Sequence, residues 1–264
     1  MKISKSQQEQ TRRDIIRHAV DLITELGYDG ASMKQIARAA GIGDATIYKY
    51  FANKEKIVLA YYELVLQIAL ELVAEIPGWD EFSLQERLQA LVDAILEILL
   101  ADREFVEISR DLAADTPLLL LREKMPMQQT LKQELLNWIN QAEASEQIPP
   151  CDFKNMIAGL FLDYLLAVLA YWLKDESEEF SQTTQLVDLT LGLLCNALAS
   201  GLLNKVSDLL SFLLRNQLHR AVSHGDGLLT ALSLLKQTGS NLRQHTRENR
   251  RQQGQSDSRA TEGE

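Results

Sequence analysis

Between Ser32 and Lys56 the chain reads SMKQIARAAGIGDATIYKYFANKEK, a stretch dense in short polar and cationic side chains. Thr46, Tyr48 and Tyr50 carry hydroxyls. Lys34, Lys49 and Lys54 carry ammonium groups, Ser32 adds a hydroxyl at a helix start, and Asp44 and Ala45 stand just ahead of Thr46. Donors of this kind bind phosphate oxygens and the acceptor edges of bases, so these nine residues are the candidate DNA contacts. Thr46 and Lys49 are three apart and face the groove together. Lys54 sits where the start of the next helix also approaches a phosphate. Tyr48 and Ser32 have a second reading, as a packing ring and a plain helix cap. Arg12 and Arg13 are flanking phosphate candidates or solvated helix charges.

Such groups need a frame that presents them on one face. Ser32 and Gln35 stand at capping-box spacing, which fixes a helix start at Met33. Ile36, Ala37 and Ala40 give that helix one apolar stripe, and Gly41 is free to take the left-handed conformation that ends it. Gly43 or Asp44 then caps a second helix, with Ile47 and Phe51 turned inward at i and i+4. This is the layout of a helix-turn-helix, whose second helix enters a major groove. Upstream, Thr11 to Leu26 repeats apolar residues at three- and four-residue spacing, an amphipathic helix stopped by Gly27. Residues 1 to 10 read as a polar, mobile arm. Downstream, Asn53 caps a long helix through Leu59, Leu66 and Leu70 to Pro77-Gly78, a link from head to body.

The net charge of −10 looks wrong for a DNA binder until it is split along the chain. Residues 1–60 carry +3, residues 61–200 carry −16 and residues 201–264 carry +3. A basic head attracts phosphates while an acidic body discourages other orientations, and also keeps the protein soluble. With 46% apolar residues and five prolines the chain reads as all-α. Two cysteines, Cys151 and Cys195, offer neither a disulfide framework nor a metal spacing. The first residues lack an apolar signal segment, so a cytoplasmic protein is expected. No Walker loop, GxSxG, HExxH or paired-Cys motif is present, and the four histidines stand apart from any nucleophile in a motif; neither an enzyme nor a cofactor or metal is expected.

Gly27-Tyr28, Ile36-Ala37, Ala40-Gly41-Ile42, Thr46-Ile47-Tyr48, Tyr50-Phe51 and Lys54-Glu55 resemble the DNA-binding head of the tetracycline-repressor-like (TetR) family of bacterial transcriptional regulators. The resemblance covers roughly the first 60 residues, and Tyr50 and Lys54 match the family's phosphate-contacting positions. It departs at two residues. The family usually has Ser where this chain has Gly43, and a basic or small residue where Asp44 stands. A carboxylate facing the groove either caps the helix or accepts from a cytosine amino group, so Asp44 bears on base preference.

The body has no comparable motif. Helical patterns run over Leu84 to Leu100, Asp102 to Ala114, Leu118 to Ala144, Phe153 to Leu173 and Leu186 to Leu203, with breaks at Thr116-Pro117, Ile148 to Pro150 and Lys174 to Ser181. The resemblance implies a ligand-binding and dimerisation domain, its last two helices pairing with their copies in a four-helix bundle. Phe105, Trp138, Phe161, Tyr164 and Trp172, with Asp163 as polar anchor, are the pocket candidates, alongside a core role for each ring. Met156 to Leu173 is nearly apolar enough to span a bilayer, but Asp163 at its middle favours a buried helix. Four segments are expected: a head over 1–53, a body over 54–203, extra helices over 204–237 and a disordered tail over 238–264. The expected function is a homodimeric, effector-responsive repressor on a palindromic, double-stranded DNA operator and away from membranes. A nucleoid-associated or cell-division adaptor with a protein partner, and a membrane-attached sensor, are the rivals.

Overall fold

The structure is a computed structural model that describes residues 4–115, 127–206 and 209, and every described element is helical. The chain runs α1 (Lys5–Gly30), α2 (Met33–Ala39), α3 (Ile47–Tyr50), α4 (Lys54–Ala74), α5 (Leu84–Leu100), α6 (Arg103–Asp115), α7 (Met127–Ala144), α8 (Lys154–Trp172) and α9 (Ser181–Ala199). These lie in one compact unit that ends at Asn204; a second begins at Lys205, of which residues 205, 206 and 209 are described. The expected break at Thr116-Pro117, the start of the Leu118 helix, the helices beyond residue 209 and the tail over 238–264 lie outside the described residues.

The head is α1 to α3 with the first turns of α4. Ile15, Ile16, Ala19, Val20 and Ile23 line the buried face of α1 and pack on Ile36 and Ala37 of α2, Ile47 of α3 and Ile57 of α4. The first helix corrects one expectation. Ser4 accepts a bond from the Gln7 amide and starts α1 at Lys5, so most of the polar arm is helical. Gly27, at φ 74° and ψ 165°, leaves helical geometry and breaks α1 at the expected stop, and a short helical turn follows to Gly30.

In the body, α4 packs against α1, α5 and α7, α8 packs on α7, and α9 lies against α5 and α8. Arg87, buried on α5, donates to Gln141 Oε1 of α7 and to the Asp80 carbonyl, and its guanidinium sits over the Trp79 ring. The α7 to α8 connection is tied by Glu143, which accepts from Cys151 N at 2.8 Å and Lys154 Nζ at 2.7 Å, and α8 runs from Lys154 with Phe153 and Leu173 as its cap residues, where the sequence pattern places it. One helix start is corrected. The last helix starts at Ser181, five residues before the expected Leu186, and ends at Ala199. Its first turn is polar and shows no apolar period. It forms because the buried Asp175 carboxylate accepts from Thr183 N at 2.8 Å and Thr183 Oγ1 at 2.6 Å, and from Ser177 N and Oγ. Helices α4 and α8 are long and apolar enough to cross a bilayer, but α4 is packed among three neighbours and α8 between α7 and α9, and neither shows a membrane span.

Candidate nucleic-acid interface

The interface is built from α2, the turn after it and α3. The capping box is complete: Gln35 N donates to Ser32 Oγ, and Gln35 Oε1 accepts from Ser32 N at 2.9 Å. At the other end Gly41, at φ 67°, lets Ile42 N reach the Ala37 carbonyl at 3.0 Å and Gly41 N reach that of Arg38 at 3.1 Å. This pair of bonds is a Schellman motif, and a β-carbon at Gly41 would strain it. The half-buried Ile42 seats the turn on the core.

The next helix begins later than Gly43 or Asp44. The Gly43 carbonyl accepts from Thr46 N at 2.7 Å to form a turn, and Thr46 is the first cap residue of α3, without a side-chain cap bond. Asp44 therefore caps nothing, because the turn holds it outside the helix; its carboxylate lies 3.7 Å from Lys34 Nζ. Ile47 and Phe51 are buried, as their spacing requires. Tyr48, 58% exposed, points outward, which decides against the packing role for its ring. Ser32, Lys34, Asp44, Ala45 and Lys49 are exposed with it, while Thr46 and Tyr50 are half-buried at the edge, the Tyr50 ring resting on the core. The structure thus brings Lys34 and Asp44 from two elements onto one surface with Tyr48 and Lys49.

Two clamps hold this surface against α4. Lys54 Nζ donates to the Tyr28 carbonyl and lies 4.2 Å from the Tyr28 ring centroid, joining the kinked end of α1 to the start of α4. Arg12 pairs with Glu63 at 3.4 Å and covers the Phe51 ring, so it is engaged inside the head; Arg13 pairs with Glu9. Burial raises the pKa of Glu63, against the lowering pull of Arg12. Tyr28 as the partner of Lys54 had no signal in the sequence, since the two are 26 residues apart.

A further pair of contacts joins α4 to the body. Tyr61 Oη donates to Asp102 Oδ2 at 2.8 Å, and Tyr62 Oη shares a 2.6 Å hydrogen bond with Ser109 Oγ on α6. Burial, and then the Asp102 charge, raises the Tyr61 pKa far above the ordinary phenol, and burial pushes Tyr62 up to about 12, so both stay protonated donors. Tyr61 also meets Phe105 edge to face.

The remaining pocket candidates fall into separate places. Trp138 meets Trp79 edge to face, Phe161 meets Tyr164, and Trp172 lies against Phe180 and under Arg103. Phe105, Trp138, Phe161 and Trp172 are buried; Asp163 and Tyr164 are half-buried on α8, with Tyr164 Oη bonded to Thr190 Oγ1 at 2.9 Å. Among the described residues no cluster of His, Cys, Asp and Glu is placed to hold a metal.

Comparison with known proteins fits this division. Residues 15–61 match the family described as bacterial regulatory proteins, tetR family, and residues 87–213 match the tetracyclin repressor-like C-terminal domain. The chain is 29% identical over 126 residues to the fatty acid metabolism regulator protein of Bacillus subtilis, covering 48% of this chain and 61% of that one, less than two thirds of its length. It is 25% identical over 190 residues to the transcriptional regulator AcrR of Shigella flexneri, covering 67% and 88%. The fatty acid degradation regulator FadR of Bacillus halodurans shares the fold, with a TM-score of 0.51 at 24% identity over 69% of this chain and 94% of that one. These relatives are named as regulators, and the adaptor reading finds no support among them. Head and body each match their counterpart, on either side of the α4 link, and the chain belongs to the TetR family of DNA-binding transcriptional regulators.

Proposed function

We propose that the chain acts as a cytoplasmic homodimer that represses transcription from a palindromic operator and releases it when a small effector enters the body. In this reading the head spans 1–53 and the body 54–203. The observation that carries it is an exposed apolar stripe on α8 and α9. Met156, Leu160 and Tyr171 of α8 and Leu189 and Leu193 of α9 are 40 to 73% exposed, the largest value being that of Leu193. A stripe this apolar on paired helices calls for a partner surface, and a second copy supplies the same stripe about a two-fold axis. Two copies present two α3 faces, which suits half-sites about 34 to 36 Å apart or a multiple of that.

On each α3 face Tyr48 and Lys49 contact DNA directly, with Ser32, Lys34, Asp44 and Ala45 around them and Thr46 and Tyr50 at the edge. Lys54 holds the start of α4 in place and turns its remaining donors to phosphate. The effector binds by parting ring pairs of the body interior, where Phe105, Trp138, Phe161, Tyr164 and Trp172 offer apolar walls and Asp163 a polar anchor. Two relatives are named for fatty acid regulation, and an effector with a long apolar portion suits such walls. Release follows from linkage: an effector that favours a body with wrongly spaced heads weakens operator binding, and the operator weakens effector binding by the same factor.

Light scattering on a sizing column tests the assembly. The wild type is expected to elute as a dimer and Leu189→Glu/Leu193→Glu as a folded monomer, with operator affinity down about 100-fold or more as the second head is lost. A monomeric wild type, or a monomeric variant that binds operator as tightly, would overturn the proposal.

A further inference from the structure

An acid in the middle of a DNA-facing surface needs a reason, because phosphates and most major-groove atoms repel it. The structure removes helix capping as that reason for Asp44, since α3 starts at Thr46. Stability is a poor reason too. The Lys34–Asp44 pair spans 3.7 Å with side chains 66% and 55% exposed, and ion pairs so open to water add little. What the pair does is place one acceptor and one cationic donor side by side, just ahead of the exposed Tyr48 and Lys49, at the end of the recognition helix that meets base edges.

We propose that Asp44 and Lys34 act together as a specificity-determining pair that reads one C·G base pair in each half-site. This rests on the DNA-reading surface proposed above. The Asp44 carboxylate accepts from the cytosine N4 amino group, and the Lys34 ammonium donates to O6 and N7 of the paired guanine. The match is chemical as well as spatial. Cytosine shows a donor and no acceptor in the major groove, whereas adenine sets N7 beside its amino group and thymine shows O4, each of which repels a carboxylate. Lys34 offsets the carboxylate charge and so lets it approach the duplex.

Selection of randomised duplexes by the purified full-length protein, at fixed salt, tests this with two variants at exposed positions. The wild type is expected to recover half-sites with one fixed C·G pair. In Asp44→Asn the preference at that position moves to A·T by about tenfold, because an amide pairs with adenine N6 and N7, and the other positions keep theirs. Lys34→Gln relaxes the same position and no other. Identical preferences at every position for the wild type and Asp44→Asn would overturn the assignment of Asp44, and unchanged preferences in Lys34→Gln would overturn the share given to the ammonium. If the wild type recovers no common sequence, the DNA-reading surface itself fails and this inference fails with it.

Discussion

The head and the body are built from the same kind of element, yet they combine local and distant contacts in different proportions. In the head, caps and turns over three to five residues shape the DNA-facing surface, Ser32 with Gln35, Gly41 with Arg38, Ile42 with Ala37, Asn53 with Lys56, and two longer clamps, Lys54 to Tyr28 and Arg12 to Glu63, seat it on α4. In the body, the deciding contacts join residues far apart in sequence. Arg87 reaches Gln141, Tyr62 reaches Ser109, and Tyr164 reaches Thr190. A locally held unit keeps its shape while its surroundings move. A unit held by distant contacts has several ways to rearrange, which suits the effector response proposed for the body. Tyr61 and Tyr62 sit where the two regimes meet, on the helix that carries the head and bonded to Asp102 and to α6.

Three changes sharpen this contrast. The largest effect is expected on the face of the head: Tyr48→Ala/Lys49→Ala should weaken operator binding by at least tenfold and lower the salt slope by about one, while the dimer and the unfolding temperature stay as they are. Fluorescence anisotropy over a salt series reads both. A loss of folding instead would mean that these exposed side chains hold the head together.

A smaller effect is expected at the junction. Tyr61→Phe/Tyr62→Phe removes two hydroxyls and keeps the rings, so effector-free operator binding should change little. The factor by which effector weakens that binding should change, by about tenfold or less. Titrating operator complexes with a long-chain fatty acid, of the effector class proposed above, measures the factor; an unchanged factor with lowered stability would make the bonds purely structural.

The smallest effect is confined to stability of the body. Hydrogen bonds from Ser177 and Thr183 hold the Asp175 carboxyl well below the usual carboxylate range, despite its burial. A carboxylate with a lowered native pKa contributes stability that is full above its unfolded value of about 4 and fades as the pH falls below that. Asp175→Asn should therefore unfold several degrees below the wild type near neutral pH, with the gap narrowing below about pH 4. Thermal melts across that range check it, and a gap that widens in acid would contradict the assignment.

The contrast also explains what was legible in the sequence. The start of α2 at Met33, the turn at Gly41 and the cap at Asn53 follow from neighbouring residues, and they stand in the structure. The start of α3 was misplaced because Gly43 and Asp44 both suit a cap, and only the fold shows that the Gly43 carbonyl makes a turn there instead. The start of α9 was misplaced because Asp175, eight residues away, supplies the bonds that a polar first turn lacks. The aromatic residues of the body were legible as core or pocket, but their partners were not. Trp138 finds Trp79 and Phe105 finds Tyr61 through packing that no periodicity records. For the candidate interface, the sequence supplied the residue types and spacing, whereas the exposure of Tyr48, the inward turn of Lys54 and the Lys34–Asp44 contact needed three dimensions.

Two copies of one rigid head, joined through the bodies, are expected to read one operator. The most direct measurement is the mass of the complex on a selected duplex, taken together with the footprint it protects. Two chains per duplex are expected, with two protected half-sites related by a two-fold axis, their centres about one helical turn or a multiple apart on the same face. One chain bound to a single half-site with full affinity, or a footprint without two-fold symmetry, would contradict it.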